Sequence, residues 1–198
     1  MGMMNFEVSL PQWAIEENQL LPKFIPECEQ RMRTVIRFAE INLDKKTGGP
    51  FAAGIFEKNS GEVIGIGVNR VVPSNNSSAH AEIVAISLAQ KKLSTFDLGG
   101  PEMPDYQIVV NGRPCAMCCG ALPWSGVRSL VIGASGERIE SLTGFDEGAV
   151  HPNWQQELES RGIEVIENVL AEEAEVVFQR FRDRNEPVYN GRSGDGLK

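Results

Sequence analysis

Tyr106-Gln107-Ile108-Val109-Val110-Asn111-Gly112-Arg113-Pro114-Cys115-Ala116-Met117-Cys118-Cys119-Gly120-Ala121-Leu122 is the stretch on which the reading of this chain turns. Tyr106 to Val110 is a short apolar run of β-forming residues and reads as a buried strand. Pro114 to Leu122 reads as a buried helix, apolar on most of its circumference. Proline suits the entry to that helix, because the N–H it lacks would have no partner inside the helix.

The same kind of reading extends outward in both directions. Upstream, Ala79 to Lys91 is a second buried helix, with Ala81, Ile83, Val84, Ala85, Ile86, Leu88 and Ala89 nearly all round it. Lys92 to Asp105 is a Gly- and Pro-rich loop. Phe51 to Glu57 and Glu62 to Val72 read as strands joined through Asn59-Ser60-Gly61, a composition that favours an antiparallel hairpin. Pro73 to Ser78 is a polar loop. Before the hairpin, Pro26 opens a helix in which Met32, Val35, Ile36, Ala39 and Leu43 keep a helical period, and Gly48-Gly49-Pro50 stops it. Downstream, Ser129 to Ala134 and Glu164 to Val169 are further strands. Ala171 to Arg184 is an amphipathic helix with Ala174, Val177, Phe178 and Phe181 on one stripe. A hairpin followed by alternating helices and strands predicts an α/β fold: a mixed five-stranded sheet covered on both faces, three layers in all. Residues 1–25 are expected to form a helical extension, with Ser9-Leu10-Pro11-Gln12 as its cap. Residues 26–184 are the domain, and 185–198 a polar, Gly-rich tail.

The chain has 198 residues, 41% of them hydrophobic, enough for one domain with a sizeable core. Its formal net charge of -8 argues against a broad phosphate-binding surface, which needs clustered Lys and Arg. No apolar run is long enough to cross a bilayer, and Met1 to Leu10 lacks the basic start and apolar core of a secretory signal. A cytoplasmic protein with no membrane partner is the expectation. Of the cysteines, Cys115, Cys118 and Cys119 crowd together and only Cys28 lies apart. That is a poor disulfide framework, and clustered thiols in such a chain point to metal or catalysis.

The metal reading is sharpened by His80-Ala81-Glu82, about thirty residues before Pro114-Cys115-Ala116-Met117-Cys118. One imidazole and two thiolates suit Zn²⁺ and leave a tetrahedral position open for water, with Glu82 as the acid and base beside it. Cys115 and Cys118 share a helix face. His80 and Glu82 do not face each other in mid-helix, so they must sit at its N-terminal end. Both helix N-termini would then aim free amides and partial positive charge at thiolates. A purely structural zinc would need a fourth ligand from Cys119, Cys28 or His151. Cys119 points away along the helix, Cys28 reads as inert, and His151 stands in a loop before Pro152.

His-x-Glu with Pro-Cys-x-x-Cys is the recurring signature of zinc-dependent nucleobase deaminases. Together with Gly49-Pro50-Phe51-Ala52-Ala53, Gly67-Val68-Asn69 and Cys115-x-Met117-Cys118-x-Gly120-Ala121, it makes the chain resemble the cytidine deaminase-like superfamily. The bacterial guanine deaminases are the part of that superfamily it resembles most. The likeness runs from about Gly48 to Phe181, and Gly144-Phe145-Asp146-Glu147 adds an acidic pair found in guanine deaminases.

The resemblance implies that His80, Cys115 and Cys118 hold Zn²⁺. It implies that guanine and water become xanthine and ammonia with Glu82 moving the protons. The triazine ammeline, which presents a similar edge, is a secondary substrate. Glu147 would be the second catalytic acid, accepting from the N–H donors of guanine, with Asp146 beside it. Asn69 would hold the purine edge, Phe51 and Trp124 would line or stack on the ring, and the backbone of Ala81 would touch the amidine edge. Against each stands a plainer reading: a strand-end Asn, core aromatics, a solvated loop acid. Arg113 stands where the family usually has Glu, just before the first zinc Cys. The resemblance also implies a homodimer, with or without exchange of C-terminal segments. Tyr189 in the tail is compatible with exchange, and equally with a disordered tail.

The alternatives are a tRNA adenosine deaminase and a cytidine or deoxycytidylate deaminase. A degenerate deaminase fold that only binds is the non-enzymatic alternative, and the intact Glu82 argues against it. A tRNA enzyme predicts a basic surface. The charge of -8 and the acidic stretch from Glu157 to Glu175 oppose that, leaving Arg180, Arg182 and Arg184 as candidate RNA contacts or as the solvated side of the last helix.

Overall fold

The computed structural model describes residues 7–191. The outer parts of the predicted N-terminal extension and of the tail therefore lie outside the described residues. Five strands form one mixed sheet in the order β2-β1-β3-β4-β5, with β1 Ala52–Glu57, β2 Val63–Val68, β3 Tyr106–Gly112, β4 Ser129–Ala134 and β5 Glu164–Ile166. β1 pairs antiparallel with β2 and β3, while β3, β4 and β5 run parallel. The expected three-layer α/β/α arrangement with a mixed five-stranded sheet is what the chain forms.

The pleat explains why both faces need covering. Along β1, Ala52 and Phe56 enter one core while Ala53 and Ile55 enter the other. Along β4, Val131 and Ala134 face the first core, and Leu130 and Ile132 the second. The first core is closed by α1 Gln12–Leu20, α2 Cys28–Asp44, α6 Gly136–Thr143 and α8 Ala171–Asp183. α4 Ala81–Leu93, α5 Ala116–Ser125 and α7 Trp154–Glu159 close the second. α4 lies close against β2 because Gly67 has no side chain: a Cβ there would stand 2.5 Å from the backbone N of Ala85.

Some boundaries differ from expectation for identifiable reasons. The second hairpin strand ends at Val68 rather than Val72. The Asn69 side chain accepts from Val71 N–H at 3.2 Å, which turns the chain into the short helix α3 Val71–Ser74. Ser9 is not the cap of the first helix. Pro11 takes that position without a side-chain bond, and the Ser9 carbonyl accepts instead from Arg70 Nε at 3.0 Å. After α1 the extension turns extended, and Phe24 bridges Glu62 beside the edge strand β2. α6 and α7 had no counterpart in the sequence reading. The signals for α6 were present: Ser135 caps it by accepting from Arg138 N–H at 3.3 Å, and Gly144 ends it with a φ of 78°.

β2 is parallel to β3 in this sheet, so the C-terminal ends of β2, β3 and β4 and the N-terminal end of β1 meet at one edge. Carboxyl ends of parallel strands are where open α/β sheets place ligand sites. Asn69 follows β2, Phe51 precedes β1, and Cys115 follows β3, all at that edge.

Candidate active site

His80 and Cys115 are the N-cap residues of α4 and α5, both in extended backbone conformation. This meets the requirement that His80 and Glu82 sit at a helix start: His80 lies just outside the helix and Glu82 in its first turn. His80 Nδ1 lies 3.5 Å from Cys115 Sγ, and the ligand atoms of His80, Cys115 and Cys118 all lie within 4.8 Å of one another. Tetrahedral zinc with bonds of about 2.0–2.3 Å separates its S and N ligands by about 3.5 Å. The donor set therefore fits a tetrahedral zinc ion.

The protonation of these groups supports the same fit. Cys115 is brought down to about 4 by the neighbouring Cys118 thiol, and further by His80 and the Cys118 backbone amide, against the effect of burial. Cys118 is pushed up by sharing its proton with Cys115 and by burial. The pair thus holds one proton between two sulfurs, a proton that a divalent cation displaces. Burial pulls the His80 imidazole down, but Cys115, Glu82 and Glu147 together outweigh it and raise it.

Glu82 is 5% exposed, and its carboxyl is raised chiefly by burial, with His80 opposing. Glu147 is also buried and is raised to about 8, again by burial first and then by Cys115 and Glu82, with Arg113 and His80 opposing. Asp146 beside it is exposed; its Oδ1 accepts from Gly148 N–H at 2.8 Å and shapes the turn. Of the acidic pair, Glu147 is the one buried in the cleft.

These groups share a cleft of about 220 Å³, lined among others by Phe51, Asn69, His80, Glu82, Cys115 and Glu147. Asp146 and Arg113 also border it. Ala81 is fully buried between His80 and Glu82 at the helix start. Asn69 is buried, and its Oδ1 already accepts from Gly49 N–H at 3.4 Å and Val71 N–H at 3.2 Å. The amide NH₂ is its remaining hydrogen-bonding group.

Trp124 is a correction. It is 87% exposed on the outward side of α5 and borders a separate hollow with Pro123, His151 and Trp154. Its ring does not reach the cleft of its own chain, because it lies near the far end of the helix that Cys115 begins. His151 is likewise apart: its Nδ1 accepts from Asn153 N–H at 3.1 Å. Cys119 donates to the Pro114 carbonyl at 3.3 Å, away from the cluster.

The tail does reach the site. Tyr189 and Asn190 border the cleft, with Tyr189 4.6 Å from the Phe145 ring centroid. Asn190 accepts from Asp146 N–H at 2.9 Å and donates to the Gly144 carbonyl at 3.0 Å, pinning the tail to the acidic loop. Sequence reasoning flagged Tyr189 but passed over Asn190, Phe145 and Ser77. Phe145 sits inside the quoted acidic segment, whereas nothing local marks Asn190.

A His, two Cys and a buried Glu gathered at two helix starts call for comparison with known zinc enzymes. The family model of the cytidine and deoxycytidylate deaminase zinc-binding region matches residues 26–134. The chain belongs to this deaminase family. It is a hydrolytic deaminase, and it carries the family's zinc-binding region. A solved guanine deaminase from Nitrosomonas europaea is 42% identical, with a TM-score of 0.87 over 92% of this chain and 100% of that one. The guanine deaminase of Bacillus subtilis is 30% identical over 156 residues, 78% of this deaminase and 94% of the relative. A tRNA-specific adenosine deaminase of Rickettsia bellii is also 30% identical, over 154 residues, 76% of this chain and 96% of the relative.

No helix among the described residues is long and apolar enough to cross a membrane. The arginines at the end of α8 and at its C-cap form surface ion pairs: Arg180 with Glu40 and Asp44, Arg184 with Asp44, and Arg182 with Asp183.

Proposed function

We propose that this deaminase converts guanine and water into xanthine and ammonia. The observation that carries the reading is the meeting of a second buried acid, Glu147, and Asn69 with His80, Cys115 and Glu82 in one small cleft. Its volume of about 220 Å³ lies below the range of roughly 300–1,000 Å³ usual for drug-sized ligands and suits one flat base better than a nucleotide. The likeness to two guanine deaminases supports the same substrate.

His80, Cys115 and Cys118 would hold Zn²⁺. The ion, when bound, supplies a water acidic enough to attack at neutral pH. Glu82 takes a proton from that water. As the water oxygen bonds to C2, Glu82 would hand that proton to the ring nitrogen beside C2, then carry the remaining hydroxyl proton to the amine, so that the C2–N bond breaks and ammonia leaves. A buried carboxyl held above the ordinary carboxylate range by burial is better suited to taking a proton and giving it back. Asn69 donates its amide to the purine edge, and Glu147, which a bound zinc ion would favour as carboxylate against the effect of burial, accepts from ring and amino N–H groups. Phe51 packs on the ring, and the Ala81 backbone meets the amidine edge. Ammeline, with a similar edge, is the secondary substrate.

The tRNA reading draws on the Rickettsia relative. Against it stand the net charge of -8, the paired arginines and the tail lying along the cleft. We place the enzyme in the cytoplasm as a homodimer, with residues 1–25 as extension, 26–184 as the catalytic domain and 185–198 as tail. Exchange of that tail between protomers would set the partner's Tyr189 where this chain's own lies.

The test is ammonia release from guanine, adenine, cytosine, cytidine and ammeline, with Glu82→Gln as control. Guanine turning over no faster than the control would overturn the reading.

A further inference from the structure

Asn69 is held from outside the cleft, and the hold begins in the N-terminal extension. Trp13 Nε1 donates to Thr47 Oγ1 at 2.9 Å. Thr47 Oγ1 donates to Asn42 Oδ1 at 2.8 Å. Asn42, fully buried, then donates its Nδ2 to the carbonyls of Gly49 at 2.9 Å and Asn69 at 3.1 Å. Gly49 N–H in turn donates to the Asn69 side chain at 3.4 Å.

The order of donors in this relay follows from its two ends, with the Thr47 hydroxyl on the nearer of its two Asn42 acceptors. An indole N–H can only donate, so the single Thr47 proton is left to point at Asn42. Asn42 must then present oxygen to Thr47 and its NH₂ to the two carbonyls. Without the Trp13 donor the hydroxyl is free to turn its proton to the Asn42 backbone carbonyl, 3.4 Å away, and Asn42 Oδ1 loses the donor that holds it from the far side. The packing leaves no slack there: a Cβ on Gly48 would lie 1.9 Å from the Asn69 carbonyl O and 2.7 Å from Asn42 Nδ2. Two further bonds tie extension and loop together, from Arg70 Nε to the Ser9 carbonyl at 3.0 Å and from Arg70 Nη1 to the Thr47 carbonyl. Trp13, Thr47 and Asn42 do not border the cleft.

We infer that Trp13, Thr47 and Asn42 are positioning residues for the nucleobase, so that the N-terminal extension sets the aim of the Asn69 amide. The inference rests on the reading of Asn69 as the residue that holds the purine edge.

Trp13→Phe keeps an aromatic side chain beside Phe38, whose ring centroid is 5.7 Å from that of Trp13, while removing the donor and part of the ring volume. Thr47→Val removes the hydroxyl at equal size. Each is expected to raise KM for guanine about three- to tenfold, with kcat within about twofold, as the loss of one aligned hydrogen bond would. Thr47→Ser restores the wild-type KM. In an Asn69→Ala background, read as xanthine affinity by calorimetry, Trp13→Phe has no further effect. Val177→Ala, a cavity at an α8 residue that does not border the cleft, lowers the melting temperature and leaves KM unchanged. An unchanged KM in Trp13→Phe and Thr47→Val, the same loss persisting without Asn69, or an equal KM rise in Val177→Ala would overturn the inference. A wild-type enzyme that does not turn over guanine would instead overturn the substrate reading, and the series is then run on whichever base of the panel it deaminates.

Discussion

The backbone N–H of Ala116 donates to the carbonyl of Glu147 at 2.9 Å. Ala116 is the first residue of α5, and the first amides of a helix have no partner inside it. One of them is spent on the acidic loop, so the turn that orders Cys115 also anchors Glu147. The Cys118 amide serves Cys115 instead. The proposed ligand Cys115 and the buried acid Glu147 are therefore parts of one local structure.

That placement has a titration consequence. Glu147 is raised from its ordinary 4.5 to about 8, so its ionisation opposes folding. Its stability contribution is complete below the unfolded value and is lost as pH rises from 4.5 through about 8, the reverse of an ion-paired carboxylate. In chelator-treated protein, the Glu147 carboxyl carbon is expected to titrate near 8 by NMR. Added zinc lowers that midpoint, because a nearby cation favours the carboxylate. A midpoint at the ordinary value in the chelated protein would contradict the burial argument.

Glu82→Gln keeps the size of a buried side chain while removing its capacity to carry a proton. We expect kcat to fall at least about 10²–10⁴-fold. Zinc content, measured by elemental analysis, stays at the wild-type level, since Glu82 is not among the three grouped ligands. A variant that lost zinc would show Glu82 to be part of the metal site.

Cys115→Ser and Cys118→Ser address the ligands themselves. Each is expected to lose most of its zinc on dialysis and to melt at a lower temperature than wild type, because a metal bound only by the folded state stabilises it. Cys119→Ser, whose Sγ faces the Pro114 carbonyl, keeps its zinc. Equal zinc retention in all three variants would overturn the assignment.

The Tyr189 hydroxyl is buried without a hydrogen-bond partner among the described residues. An unpaired buried polar group costs about 1–3 kcal/mol. Tyr189→Phe should therefore melt higher in the absence of substrate, by about 2–4 °C for each kcal/mol relieved in a protein of this size. A lower melting temperature would mean that the hydroxyl has a partner in solution.

The sheet and the principal helices were legible in the sequence because burial imposes its own pattern. Alternating faces along β1 and β4 and the stripe on α8 follow from which side of each element must leave water. β4 was read to the residue. Where the reading ran long, as at the end of β2, a side chain intervened: Asn69 bonds to Val71 and turns the chain, a competition that composition does not reveal. α7 was missed because six residues carry too little periodicity to register.

At the site, the sequence by itself determined which residues could carry the proposed chemistry. His80, Glu82, Cys115 and Cys118 are named by residue type and spacing, since metal ligation and proton transfer admit few side chains. Tertiary structure alone decided which other residues share the cleft. Trp124 is a plausible ring-stacking residue in the sequence, yet stands 87% exposed near the far end of its helix. Asn190 carries no local signal, yet binds the acidic loop from across the fold. The physical reason is range. Spacing along the chain fixes neighbours within a helical turn, whereas contacts such as Asn190 with Asp146, or Trp13 with Thr47, depend on how separately formed elements pack.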